Sequence, residues 1–158
     1  MYVLPSMDEW YKAAFYDPVN DVYYDYPTGS NTVPTAVASG TTAGTAVYDQ
    51  SFGPADITLA GGLSPYGIMG MGGNVYEVDE TAYDLDNSSG SENRGWRGGH
   101  WDSNSDYIDN TIRGAFRPSR EYDIVGFRVA RVFPAPEPGS MALLLAGAFV
   151  FGYRRWRR

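Results

Sequence analysis

Residues 64–78 read SPYGIMGMGGNVYEV, in which clustered glycines lead into an alternating run of apolar and polar side chains. Glycine permits the backbone conformations of a tight turn. The period of two in Val-Tyr-Glu-Val is typical of a half-buried β-strand. We therefore predict a glycine-rich loop that ends in a strand.

A second alternating stretch lies at residues 126–133 and reads GFRVARVF. Successive side chains of a β-strand point to opposite faces of the sheet. We predict from this alternation that Phe127, Val129 and Val132 pack inward. The two arginines between them, Arg128 and Arg131, are predicted to point outward.

The sequence predicts one helix, at residues 4–16. Ser6 can cap its first turn, and Glu9 follows three positions later, as a capping box requires. Three residues recur at helical spacing and should face the core: Trp10, Ala13 and Ala14. Residues 17–62 are a tract of Pro, Gly, Thr, Ala and Ser without a regular period, which predicts loops and short edge strands.

The composition is that of a globular domain rich in loops and aromatic side chains. Of the 158 residues, 43% are hydrophobic, 15% aromatic and 20% charged, which allows one domain and a short appendage. The net charge is −7, and residues 134–158 carry four arginines and one glutamate, so residues 1–133 carry −10. Nucleic acid is not an expected partner, because phosphate binding needs a basic face.

The chain has no cysteine and a single histidine, His100. The lack of cysteine excludes disulfides, thiolate metal sites and a cysteine nucleophile. A single histidine argues against a histidine-based zinc or iron centre. We interpret His100 as an imidazole at a strand end that is hydrogen-bonded by its neighbours.

Four segments resemble, in order, the formylglycine-generating enzyme (sulfatase-modifying factor) superfamily. LPSMDEWYKAA at residues 4–14 is similar to its LPTEAEWEYAA-type helix, and residues 64–78 resemble its N-x-x-G-L-Y-D-M-x-G-N-V-W-E-W segment. RGWRGGHW at residues 94–101 is similar to its R-V-x-R-G-G-S-W strand. IRGAFRPSREYDIVGFRVAR at residues 112–131 resembles its closing R-x-x-x-R-x-x-x-x-x-G-F-R segment.

This resemblance implies an α+β fold, the family's variant of the C-type-lectin fold, poor in regular secondary structure. Domains of the family extend well upstream of the helix. We therefore expect residues 1–133 to be the C-terminal part of a family domain, either as a fragment or after loss of an N-terminal segment.

The resemblance also indicates which chemistry is missing. The family's oxidase uses two cysteines just after the R-G-G-S-aromatic strand to bind copper and to convert a sulfatase cysteine to formylglycine. In the corresponding residues 100–108, Ser103 and Ile108 offer no thiol. Copper(I) needs soft ligands, so we expect neither copper nor oxidase activity. Related sulfoxide synthases bind iron through histidines, of which His100 could supply one at most.

Calcium is the cofactor that the resemblance still allows. In the family, an upstream Asn or Asp, two main-chain carbonyls and the Glu of the G-N-V-W-E segment surround a structural calcium ion. Mapped by motif, these become Gly70, the carbonyls of Gly73 and Val75, and the carboxylate of Glu77. Oxygen ligands suit calcium, but Gly70 has no side chain, so water or Asp79 would have to replace one ligand. The alternative is that Glu77 pairs with a core arginine.

Four arginines could be interpreted as an anion-binding cluster: Arg97, Arg113, Arg117 and Arg128. Residues 1–133 contain 18 carboxylates. We therefore expect these arginines to neutralise buried or half-buried Asp and Glu side chains instead.

The end of the chain resembles a PEP-CTERM sorting signal. A Pro-rich linker at residues 134–139 contains Pro136, Glu137 and Pro138, and an apolar run follows at residues 141–153. Four arginines end the chain: Arg154, Arg155, Arg157 and Arg158. The run is shorter than the roughly 20 residues of a comfortable membrane span. We predict a hydrophobic helix at residues 140–158 that anchors the chain transiently, with its basic end on the cytoplasmic side, before an exosortase-type protease cuts near Pro-Glu-Pro.

Two hypotheses of function follow. The first is an exported, non-catalytic binding or structural protein of the cell envelope or extracellular matrix of a Gram-negative-type bacterium, which presents loops to a protein or polysaccharide. The second is an enzyme of the sulfatase-modifying type with altered chemistry. A third possibility, a truncated product that does not fold alone, would be excluded by cooperative melting of residues 1–133.

Overall fold

The structure, a computed structural model, describes residues 1–132. The predicted linker at residues 134–139 and the predicted helix at residues 140–158 lie outside these residues. Contacts divide the chain into a main body, Val3–Ala130, and a second unit that contains Met1–Tyr2 and the segment from Arg131 onward. In the second unit, the Val132 N–H donates to the Met1 carbonyl at 3.0 Å.

The described residues form a mixed α/β structure with short elements. The helix α1 covers Met7–Phe15, and 3₁₀ turns cover Ile57–Leu59 and Ser105–Ile108. The strands, in chain order from β1 to β10, are Tyr2–Val3, Tyr16–Asp17, Val22–Tyr23, Thr35–Ala36, Thr45–Ala46, Tyr76–Ala82, Arg94–Arg97, Gly114–Phe116, Val125–Gly126 and Ala130–Arg131.

The helix begins at the predicted cap. Ser6 Oγ accepts from the Glu9 N–H at 3.3 Å, and the Glu9 carboxylate accepts from the Ser6 N–H at 2.8 Å, which confirms the capping box. Trp10 and Ala14 are buried, and Ala13 packs against the same core cluster. Just before the cap, the Pro5 carbonyl accepts a hydrogen bond from the Glu80 N–H of β6 at 2.9 Å.

A four-stranded sheet with the order β8-β7-β6-β9 forms the centre of the main body. β6 runs antiparallel to β7, with Val78 opposite Trp96. β6 runs parallel to β9, with Tyr76 opposite Val125. Alternation along β6 gives the sheet two faces: Glu77 lies on the face that meets α1, and Val78 lies on the other.

Residues 17–62 form short strands and loops, as predicted. β2 pairs with β3 antiparallel, and β4 pairs with β5 parallel. However, β5 and the residues after it do not lie at an exposed edge. Ala46 and Tyr48 are buried in a core cluster with Ile108. The tract therefore supplies part of the core.

The prediction for the closing strand was wrong. The strand is broken into β9 and β10, and the side chains that should pack inward are exposed, Phe127 by 68%, Val129 by 57% and Val132 by 47%. Arg128 is half-buried and binds Glu77 of β6. The physical reason is the ion pair: burial of Glu77 requires a buried cation, and Arg128 is drawn inward while its neighbours face out.

Candidate functional site

A left-handed turn at Gly73 and Asn74 places the start of β6. Both residues have positive φ, 73° and 65°. The Asn74 N–H donates to the Val47 carbonyl at 2.7 Å, and its Oδ1 accepts from the Ala55 N–H at 2.7 Å. Its carbonyl accepts from the Trp101 N–H at 3.0 Å. Asn74 thus joins three loops, a role that the sequence indicated only through asparagine's tolerance of positive φ.

Glu77, which follows this turn, is 5% exposed and fully engaged. Both of its carboxylate oxygens accept hydrogen bonds from the Arg128 guanidinium. The Trp10 indole N–H donates to Glu77 Oε2 at 2.6 Å. Arg128 Nη2 also donates to the carbonyls of Gly70 at 3.2 Å and Met69 at 3.4 Å. The guanidinium is therefore surrounded by one carboxylate and two main-chain carbonyls.

In this arrangement the Glu77 carboxylate is paired with a cation of the chain itself. The Arg128 guanidinium supplies the positive charge that a metal would otherwise bring, and it takes up the carboxylate and the Gly70 carbonyl. Residues 1–132 contain no group of three or more His, Cys, Asp or Glu side chains that could hold a metal ion. The geometry favours the alternative stated above, in which Glu77 pairs with a core arginine. Calcium at Gly73, Val75 and Glu77 stays a prediction.

Calcium titration separates the two hypotheses. If Arg128 neutralises Glu77, millimolar calcium should change the melting temperature of the parent and of Glu77→Gln equally. If Glu77 does bind calcium, a calcium concentration a hundred times the dissociation constant would stabilise the parent alone by about 2.7 kcal/mol. Differential scanning calorimetry with magnesium as the matched control measures this. A rise specific to calcium and to the parent would restore the metal site.

A second buried carboxylate lies two residues further along β6. Asp79 is 1% exposed, and its Oδ1 lies 3.4 Å from Arg113 Nη2. Burial raises the pKa of Asp79, and the Arg113 charge opposes this shift. Arg113 also donates to the carbonyls of Tyr83 at 2.9 Å and Ala82 at 3.1 Å.

The expectation that arginines neutralise buried acids is thus confirmed for Arg113 and Arg128. The charge of Arg97 also opposes the rise in the pKa of Asp79, so the expectation holds for Arg97 as well, whereas it was wrong for Arg117. Arg97 donates in addition to the carbonyls of Asn110 and Ile112, at 3.1 and 2.9 Å. The Arg117 side chain is exposed and makes no hydrogen bond or ion pair with any described residue.

The two positions that would carry the family's copper cysteines lie together. A Cβ placed on Gly99 would lie 3.0 Å from Ser103 Oγ and 2.5 Å from Ile108 Cγ2, so both side chains meet over this glycine. Ser103 Oγ is occupied in a local turn, where it donates to the His100 carbonyl at 2.8 Å. Ile108 is fully buried. If the resemblance assigns these positions correctly, a hydroxyl and an alkyl group stand where the family has thiols.

Beside this pair lies an aromatic cluster that the sequence did not predict. Tyr76 of β6 and Trp96 of β7 have ring centroids 3.9 Å apart, and Tyr107 stacks on Trp96 at 6.5 Å. Tyr107 is 43% exposed. Tyr76 is buried, and this burial, together with the nearby Tyr107, raises the pKa of Tyr76 to about 12. Neutral aromatic faces of this kind can stack against a planar or apolar ligand group.

His100 also belongs to this cluster, and its contacts agree with the interpretation given above. Its ring lies 4.7 Å from that of Tyr76, and its Nδ1 accepts from the Asp102 N–H at 3.2 Å. Burial lowers the pKa of His100. The imidazole is therefore neutral at pH 7 and acts as a hydrogen-bond acceptor in the loop after β7.

Comparisons with known proteins identify the family of the main body and the motif that follows it. A profile of the sulfatase-modifying factor enzyme 1-like domain matches residues 1–133, and a profile of the PEP-CTERM protein-sorting motif matches residues 134–158. No curated protein matches the chain. Among residues 1–132, no helix has the length and apolar character needed to cross a membrane.

Two solved structures share the fold. Treponema denticola variable protein 1 is 22% identical, with a TM-score of 0.57 over 81% of this chain and 46% of its own. A crystal structure of CarF is 21% identical, with a TM-score of 0.60 over 84% of this chain and 48% of its own. The chain spans about half the length of these structures.

Proposed function

Because the chain belongs to the sulfatase-modifying factor enzyme 1-like family and ends in a sorting motif, we propose that it is an exported, non-catalytic binding protein. The sorting motif supports export to the cell envelope. In our proposal the protein resides in the envelope or the extracellular matrix of a Gram-negative-type bacterium. Pro136, Glu137 and Pro138 would be recognised by an exosortase, and residues 141–153 would hold the chain transiently in the membrane.

The observation that carries the non-catalytic role is the pair of side chains over Gly99. Ser103 and Ile108 occupy the positions at which the family resemblance places the copper cysteines, and both are buried. A hydroxyl and an alkyl group give copper(I) no soft ligand. Without that ligand pair, the chain lacks the copper ligands that the family's oxidation of a substrate cysteine requires.

The aromatic cluster supports a binding role. Tyr107 is exposed, Trp96 is partly exposed, and the cluster lies next to the loop that holds Ser103. Exposed aromatic rings with polar neighbours are typical of recognition surfaces. A protein or a polysaccharide is the ligand that we propose for these loops. The competing proposal is an enzyme of the sulfatase-modifying type with altered chemistry.

A copper and turnover assay tests the proposal. We expect the full chain to bind no stoichiometric copper(I) and to leave a cysteine-containing sulfatase peptide unconverted. The double variant Ser103→Cys/Ile108→Cys is the matched control, because both replacements would point at the same glycine and supply soft ligands. We expect the control to gain copper binding, as measured by competition with a chromophoric chelator. Conversion of the peptide by the parent would establish the competing proposal.

A further inference from the structure

An open groove crosses the face of the central sheet opposite α1. Its floor takes one side chain from each of the four strands, Phe116 of β8, Arg94 of β7, Val78 of β6 and Val125 of β9. Tyr122 and Phe127 form part of its wall, and its volume is about 580 Å³. This groove is separate from Ser103 and Ile108, which do not line it.

The walls of the groove present apolar side chains that nothing among the described residues covers. Phe127 is 68% exposed and Tyr122 is 55% exposed. Because Arg128 turns inward to Glu77, its neighbours in the extended chain are forced to the outer face. A segment that turns its arginine inward and its phenylalanine outward leaves apolar side chains without a partner among the described residues. Such a surface marks an interaction site.

The rim of the groove is basic, although the domain is acidic. Arg120 lines the groove beside one carboxylate, Glu121, and Arg117 lines the adjoining polar pocket. Arg117 and Arg120 make no side-chain hydrogen bond or ion pair with residues 1–132. Arg94, in contrast, is hydrogen-bonded internally to Glu80 and Asn87, as Arg97, Arg113 and Arg128 are to their own partners. The unpaired guanidinium groups are therefore concentrated where the apolar surface is open.

We propose that this groove binds an extended segment of another polypeptide that alternates apolar and acidic side chains. The apolar side chains would cover Phe127 and Tyr122, and the carboxylates would pair with Arg117 and Arg120. β9 lies at the edge of the four-stranded sheet, where an added strand can pair. A second copy of the chain fits less well, because a two-fold contact through this groove would place Arg117 and Arg120 near the same arginines of the other copy. The inference rests on the proposed binding role and gives it a partner class.

The test uses the full chain in a mild detergent and a fluorescein-labelled peptide of alternating valine, glutamate and phenylalanine. A twin peptide with lysine in place of glutamate is the charge control. Fluorescence anisotropy should show saturable binding of the acidic peptide, weakened about tenfold by either Phe127→Ser or Arg120→Glu. Phe52→Ser and Lys12→Glu change exposed residues outside the groove and should bind as the parent does. Thermal melts confirm that each variant is folded.

Three results would overturn the inference. The first is equal binding of the acidic and basic peptides. The second is unchanged binding by both groove variants. The third is a dimer of the parent that Phe127→Ser dissociates in analytical ultracentrifugation, since this would assign the groove to a second copy. Oxidase turnover in the same preparation would instead overturn the proposed function and leave the groove result intact.

Discussion

Replacement of Arg128 by methionine is expected to lower the free energy of unfolding by about 3–5 kcal/mol, because it leaves Glu77 ionised and buried without its cation. Glu77 is 5% exposed and would retain only the Trp10 indole as a hydrogen-bond donor among the contacts described above. For a domain of this size the loss corresponds to a melting temperature lower by roughly 10–20 °C. Differential scanning calorimetry or urea unfolding of the full chain measures it.

Two variants control this result. Arg117→Met makes the same chemical change at an exposed arginine without a described partner, and it should alter stability by less than about 0.5 kcal/mol. The double variant Glu77→Gln/Arg128→Met removes both charges, so it should lose less than the sum of its two single changes. Equal losses for Arg128→Met and Arg117→Met would show that the buried pair does not stabilise the fold.

Replacement of Gly73 by alanine is expected to cost at least about 4 kcal/mol, the range that single substitutions reach only through a specific structural conflict. The added Cβ would lie far inside van der Waals contact with the Val47 carbonyl oxygen. That carbonyl belongs to the backbone, and it accepts the Asn74 N–H, so it cannot move without breaking the turn. Against a typical total stability of about 5–15 kcal/mol, the variant should be largely unfolded on mild heating.

Gly44→Ala is the matched control for Gly73→Ala. Gly44 has nearly the same φ, +76° against +73°, but nothing lies within 4 Å of its added Cβ. Gly44→Ala should therefore lose only the free energy that a left-handed backbone costs an alanine, about 1–2 kcal/mol. The difference between the two variants in urea unfolding isolates the clash. Equal destabilisation would contradict the close approach of the turn to Val47.

Local patterns in the sequence predicted the elements whose causes are local. The capping box of Ser6 and Glu9 and the strand β6 both appear where their residues indicated, although the first four residues of β6 are buried on both faces of the sheet rather than half-buried. The outward direction of Arg128 could not be corrected from the same information. Alternation identifies which side chains share a face, but it leaves open which face is buried. That choice depends on Glu77, which lies 51 residues away.

The candidate site likewise has features that the sequence could predict and features that it could not. The pairing of Glu77 with a core arginine could be stated as an alternative, because a buried acid has few other partners. The aromatic cluster could not be predicted, since Tyr76, Trp96 and Tyr107 come from two strands and a 3₁₀ turn that only the fold brings together. The role of Asn74 could not be predicted either, because its partners Val47, Ala55 and Trp101 come from two segments distant in sequence.

The link between Glu77 and Arg128 bears on when an exported chain can fold. The carboxylate meets Trp10 across 67 residues and Arg128 across 51. A chain that is synthesised N-terminus first presents Glu77 long before Arg128 follows, and a buried carboxylate without its cation is too costly to persist. Contacts this distant in sequence also form slowly. The sheet should therefore fold only after the whole domain has been synthesised. Until then the polypeptide stays unfolded, as translocation requires.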